Sequence, residues 1–178
     1  AFTCVDISST ISSDYKFHGA TTAANGLVIF APHNADCIGI FNPTTNAFTC
    51  ASISSTISSD LKFAGATTAA NGNVIFAPSD ADCVGIFNPT NNAFTCVDIS
   101  STISSDYKFH GATTAANGLV VFAPWSADCV GVFNPTNNAF TCVDISSTIS
   151  SDNKFVGAAT AANGTVIFAP NNADCVGV

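Results

Sequence analysis

The chain has 178 residues, of which 47% are hydrophobic and 9% charged, and a formal net charge of −8. That charge is twelve Asp against four Lys, with no Arg or Glu. Such a composition excludes a disordered chain, a nucleic-acid binder with its basic footprint, and electrostatic attachment to an anionic membrane.

The chain opens in mid-pattern on AFTCVDIS, with no initiator Met and no signal peptide. A mature product or an excerpt of a longer array starts this way. A Ser/Thr-rich connector follows, then KFHGATTA (16–23), a predicted strand running into Asn25-Gly26, a strong hairpin signal. LVIFAP (27–32) is a β-branched and aromatic run closed by Pro, as a buried strand is. CIGIFN (37–42) alternates up to the turn NPTTN, and AFTCASIS (47–54) supplies a fourth strand. No apolar run approaches the ~20 residues of a membrane span.

The same unit then returns. Ala1, Ala47, Ala93 and Ala139 each open AFTC, a period of 46, and the first and third copies differ at only six positions. The repeats are 1–46, 47–92, 93–138 and 139–178, read as one repeat domain over 1–178. No stretch shows a capped 3.6-residue period. The expected fold is therefore all-β: a β-propeller of four-stranded antiparallel blades. A parallel β-solenoid fits less well, because its coils are shorter and lack antiparallel hairpins. The chain starts on a fourth strand and stops after a third, so the N-terminal strand is expected to join the last blade and close the ring. Four blades in one chain, eight from two chains, or a stretch of a longer array all remain open.

The run AANGLVIFAPHNADCIGIFNPTTNAFT (23–49) resembles the blade unit of YVTN/kelch-like tandem propeller repeats. The resemblance covers the whole chain. It departs from the usual pattern in its two Cys per blade and in the Phe of IFNP. It implies architecture rather than activity.

Eight cysteines alternate in spacing by 33 and 13, which predicts a disulfide framework and an oxidising, extracellular or cell-surface location. In the hairpin around NPTTN, Gly39 should face Cys50, leaving Cys37 a diagonal neighbour on the same face. The expected bonds are Cys37–Cys50, Cys83–Cys96 and Cys129–Cys142, with Cys4–Cys175 as the same bond across the ring closure. Asn163-Gly164-Thr165 is a glycosylation sequon.

All four lysines, Lys16, Lys62, Lys108 and Lys154, follow an Asp by two: Asp14, Asp60, Asp106 and Asp152. A structural Asp–Lys pair fixing each connector is the expectation. Variation between copies gathers at positions 15, 18, 27 and 33–34, of which 15 and 33–34 should emerge on one face. Tyr15, His33, Tyr107 and Trp125 are the expected ligand face, for a glycan or a protein. His18 and His110 recur in alternate copies, as a two-fold would require. No catalytic motif is visible, and near-identical repeats argue against an enzyme. No metal site or cofactor is expected. The function expected is an extracellular structural protein that self-associates by ring completion, stacking or fibre formation. The alternative is a lectin-like binding propeller.

Overall fold

The computed structural model describes residues 2–178, and every regular element in it is a strand. In the first repeat β1 (Phe17–Thr22), β2 (Val28–Pro32), β3 (Cys37–Asn42) and β4 (Ala47–Ser52) form one antiparallel sheet in that order. The second blade repeats it with β5 (Phe63–Thr68), β6 (Val74–Pro78), β7 (Cys83–Asn88) and β8 (Ala93–Asp98). The third does so with β9 (Phe109–Thr114), β10 (Val120–Pro124), β11 (Cys129–Asn134) and β12 (Ala139–Asp144). The fourth has only β13 (Phe155–Thr160) and β14 (Val166–Pro170) as strands.

Local chemistry sets these boundaries. Between β1 and β2, Gly26 N donates to Ala23 O at 2.9 Å and Ala23 N to Leu27 O at 2.8 Å. Gly26 sits at φ 82° while Asn25 stays at negative φ. The hairpin is thus a type I turn closed by a left-handed glycine, rather than a two-residue Asn-Gly turn. Between β3 and β4, Asn46 takes the left-handed position at φ 56°, and Asn42 Oδ1 accepts from Thr44 N at 2.9 Å. That loop puts Gly39 opposite Cys50 and Phe41 opposite Phe48.

Each sheet buries two different faces. The branched face of the first blade (Ile29, Ala31, Ile38, Ile40) packs on the phenylalanine face of the second (Phe63, Phe76, Phe87). Those three rings are 0% exposed. The second blade meets the third in the same way through Phe109, Phe122 and Phe133. Each buried ring contributes roughly 2–3 kcal/mol of apolar burial, so the blade-to-blade seams carry most of the core. At the axis the inner strands stack β1 on β5, β5 on β9 and β9 on β13. A Cβ added to Gly65 would lie 2.6 Å from Gly111 Cα, which is why a residue without a side chain stands there.

The ring is not closed, which corrects the expectation that the N-terminal strand completes the last blade. Gly19, Gly65 and Gly111 each abut the glycine of the next blade, but Gly157 faces open space. The four blades describe an arc whose two ends do not meet. Residues 175–178 touch β14 through a single bridge, Phe168–Gly177. Thr3, Val5 and Ile7 instead lie over the first blade's own Phe17, Phe30, Phe41 and Phe48, around a cavity of about 300 Å³.

Three disulfides, Cys37–Cys50, Cys83–Cys96 and Cys129–Cys142, join the third strand of a blade to its fourth. Their Cα separations of 5.5, 5.3 and 5.3 Å suit the bond. Cys4 and Cys175 are free and exposed. The expected Cys4–Cys175 bond is absent because the open arc keeps the two ends apart.

Candidate functional site

The inner strand of each blade carries a bulge immediately after its first Phe. In β1, His18 and Gly19 together oppose one residue of β2, and in β9, His110 and Gly111 oppose one residue of β10. Bulges re-aim side chains, and here they turn position 18 of each repeat toward the axis. The series around the axis is His18, Ala64, His110, Val156, lining one open groove of about 280 Å³.

The small Ala64 lets its neighbours close over it. It is 2% exposed, and the His18 and His110 rings meet edge-on with centroids 4.3 Å apart. His33, from the loop after β2, reaches His18 at 5.2 Å. Trp125, from the equivalent loop two blades on, lies over His110 at 4.8 Å with the planes tilted by 31°. Three imidazoles and the chain's single indole thus form one continuous cluster at the mouth of the groove.

Protonation is disfavoured there. Burial lowers the His18 pKa below its usual 6.5, and the neighbouring His110 and His33 lower it further. Burial lowers His33 as well, against the pull of Asp80. His110 Nδ1 lies 3.3 Å from Val156 O, a group that can only accept. In neutral His110, Nδ1 therefore carries the proton and Nε2 keeps its lone pair. The mouth offers an aromatic platform edged by imidazole nitrogens, those of His18 and His33 biased by burial toward the neutral form, able to stack a ring and to exchange hydrogen bonds.

The remaining predicted residues lie elsewhere. Tyr15 is 81% exposed and Tyr107 50%; both stand at left-handed φ, 49° and 51°, in the connectors entering β1 and β9. Among the described residues neither makes a ring contact with the cluster. Asn163 is exposed in the β13–β14 turn, its Oδ1 accepting from Thr165 N at 3.1 Å. Position 34 of the repeat proves to be a tie between blades. Asn34 Oδ1 accepts from Leu61 N at 3.2 Å, and Asp80 Oδ1 from Tyr107 N at 2.7 Å.

The lysines also bridge blades, which corrects the expected pairing with the Asp two residues before. Lys62, Lys108 and Lys154 are 0% exposed and pair with Asp36, Asp82 and Asp128 of the preceding blade at 3.7, 3.3 and 3.4 Å. Burial lowers the Lys62 pKa, against the pull of Asp36. Among the described residues Lys16 forms no such pair, and no group of three or more His, Cys, Asp or Glu is arranged to hold a metal ion.

Neither a family model nor a curated protein matches the chain. Solved structures do. Virginiamycin B lyase from Staphylococcus aureus superposes with a TM-score of 0.74 at 17% identity over 93% of this chain and 53% of the other. A catalytically inactive histidine-to-alanine variant of that lyase, with Quinupristin, gives 0.72 at 14% over 94% and 54%. An auxiliary nutrient binding protein from Bacteroides ovatus gives 0.64 at 10% over 90% and 37%. These likenesses show a propeller-type fold, and the chain spans about half the length of the lyase structures.

They also correct the expectation that the chain is not an enzyme. That expectation rested on the sameness of the repeats, yet an enzyme is built on this blade arrangement. The folded chain brings unlike residues from different repeats to one place.

Proposed function

We propose that the chain is an extracellular ligand-binding propeller of YVTN/kelch-like blades that takes a carbohydrate ring at its axial mouth. One observation carries this reading: Trp125, His110, His18 and His33, drawn from two blades, converge into one cluster. An indole face stacks on the C–H face of a sugar, and imidazole nitrogens exchange hydrogen bonds with its hydroxyls. Three disulfides support an oxidising compartment. A nutrient binding protein among the structural neighbours is in keeping with ligand capture on this fold.

A second reading is acid–base catalysis on the bound ring. It is favoured by His110, whose Nε2 lone pair stands beside imidazoles that resist protonation. An imidazole lone pair held in place in this way can act as a general base.

Trp125 is the only tryptophan, so its fluorescence reports this site alone. Titration with a saccharide panel at pH 7.5 should give a saturable change in emission for at least one sugar class, weakened at least tenfold in His110→Ala. A flat response to every saccharide would overturn the carbohydrate reading. Turnover of a bound sugar that is lost in His110→Ala would establish the second.

A further inference from the structure

Every aromatic ring in the chain other than phenylalanine stands at one of three places in the repeat. The two Tyr, three His and one Trp occupy positions 15, 18 and 33 of the first and third copies. In the first they are Tyr15, His18 and His33, and in the third Tyr107, His110 and Trp125. The second copy has Leu61, Ala64 and Ser79 there, and the fourth Asn153, Val156 and Asn171, with no ring at all.

Four of the six rings are the cluster at the axial mouth, a row of His33, His18, His110 and Trp125 with centroid steps of 5.2, 4.3 and 4.8 Å. The tyrosine residues continue this row at both ends through the backbone. Ser126 N, next to Trp125, donates to Tyr107 O at 3.0 Å, and Asn34 N, next to His33, donates to Tyr15 O at 3.2 Å.

The ring of Tyr107 is not there for the fold. Residue 15 of the repeat is left-handed in every copy, at φ 49°, 55°, 51° and 55°. Asn enters that region more readily than a bulky residue does, and the fourth copy has Asn153. Tyr107 takes the strained conformation and leaves its ring 50% exposed, so the ring fills no core. Two hydrogen bonds fix its backbone: Asp80 Oδ1 accepts from Tyr107 N at 2.7 Å, and the bond from Ser126 N ties it to the Trp125 loop. Strained residues held by their surroundings in this way cluster at ligand sites.

We infer that the mouth is the middle of an extended site for a linear, neutral glycan chain, in which Tyr107 stacks a sugar unit beyond the one on Trp125. This rests on the carbohydrate reading of the mouth and adds to it the length of the ligand. A row of aromatic faces suits a polymer of rings, each unit presenting a C–H face. Charge selects a neutral polymer. There is no Arg, and Lys62, Lys108 and Lys154 are sealed in ion pairs, which leaves Lys16 alone against a net charge of −8. Nucleic acids and acidic glycans need a basic track to lie on.

The experiment is fluorescence titration of Trp125 in the 178-residue chain with cello-, chito- and manno-oligosaccharides, each from monosaccharide to hexasaccharide. The result expected is an affinity that rises about tenfold or more with chain length in one series, since a second stacked unit binds without a second association cost. Tyr107→Asn should remove most of that gain. The fold tolerates this change, because Asn153 holds the same backbone conformation in the fourth copy. Leu61→Asn, the same change off the row, should leave the gain intact. A monosaccharide that binds as tightly as its hexasaccharide would overturn the extended site while the single-ring reading stands. So would a length gain untouched by Tyr107→Asn, or a loss in that variant equal for monosaccharide and hexasaccharide. Saturation by a proline-rich peptide and by no saccharide would overturn both readings, as would silence toward every probe.

Discussion

His18 and His33 are two titrating groups whose folded state resists the proton that the unfolded chain accepts at about pH 6.5. The unfolded chain therefore binds more protons in the window below that value, and stability falls as pH drops through it. Denaturation midpoints should decline from pH 7.5 to pH 5.5, and His18→Gln with His33→Gln should flatten the decline. Asp98 and Asp144, held low by hydrogen bonds from Ser100 and Ser146, add a separate loss at about pH 4 and below. The buried lysines give a second residue-scale prediction. Lys108 has no exposure while its partner Asp82 is 57% exposed, so the ammonium is the member that depends on the pair. Asp82→Ala should cost about 2 kcal/mol by leaving a buried charge without its counter-ion. Lys108→Met should cost less, because Asp82 stays solvated and only the hydrogen bonds to Ser79 O and Asp80 O are lost. Urea denaturation of both variants checks the order.

Within a blade, most of the architecture could be read from the chain, because each strand is fenced by its own turn chemistry. The register of β3 on β4 follows from the NPTTN loop, and with it the placing of Cys37 beside Cys50. What could not be read was the form of the first hairpin, where Asn25-Gly26 promises a two-residue turn but Ala24 joins the loop. The bulge at position 18 was equally hidden, since it is a property of strand pairing and not of any dipeptide. The cluster of His18, His33, His110 and Trp125 was therefore only half legible. Variation between copies marked His33 and Trp125 for the ligand face, whereas position 18 showed only as a variable site where His18 and His110 alternate with Ala64 and Val156. The inner strands carry the sharpest prediction at this scale. Gly65 stands at φ 123° with its missing Cβ directed at Gly111 backbone. Gly65→Ala should destabilise by about 3 kcal/mol or more, read as a fall in the thermal midpoint. The same change at Gly157, whose missing Cβ meets nothing in the single chain, should cost far less.

At the scale of the whole molecule, the period of 46 announces repeated blades but is silent on the angle between them. That angle comes from side-chain volumes at three seams, and it leaves an arc where the sequence leads one to expect a closed ring. The lysine pairing was hidden for a related reason: Lys62 meets Asp36, in the preceding blade, rather than Asp60 beside it in the chain. One further consequence follows from that pairing. Trypsin cuts only after Lys and Arg, and this chain has four Lys and no Arg. Three of the four are sealed between blades, so the native protein presents a single target at Lys16, at the open end of the arc. Limited digestion should remove the first sixteen residues and then stall, with Lys62, Lys108 and Lys154 yielding only as fast as the seams themselves open. Rapid cutting at all four would mean the blades part readily in solution. The chain's few positive charges are its joints, and a protease that hunts for them would count how many are still shut.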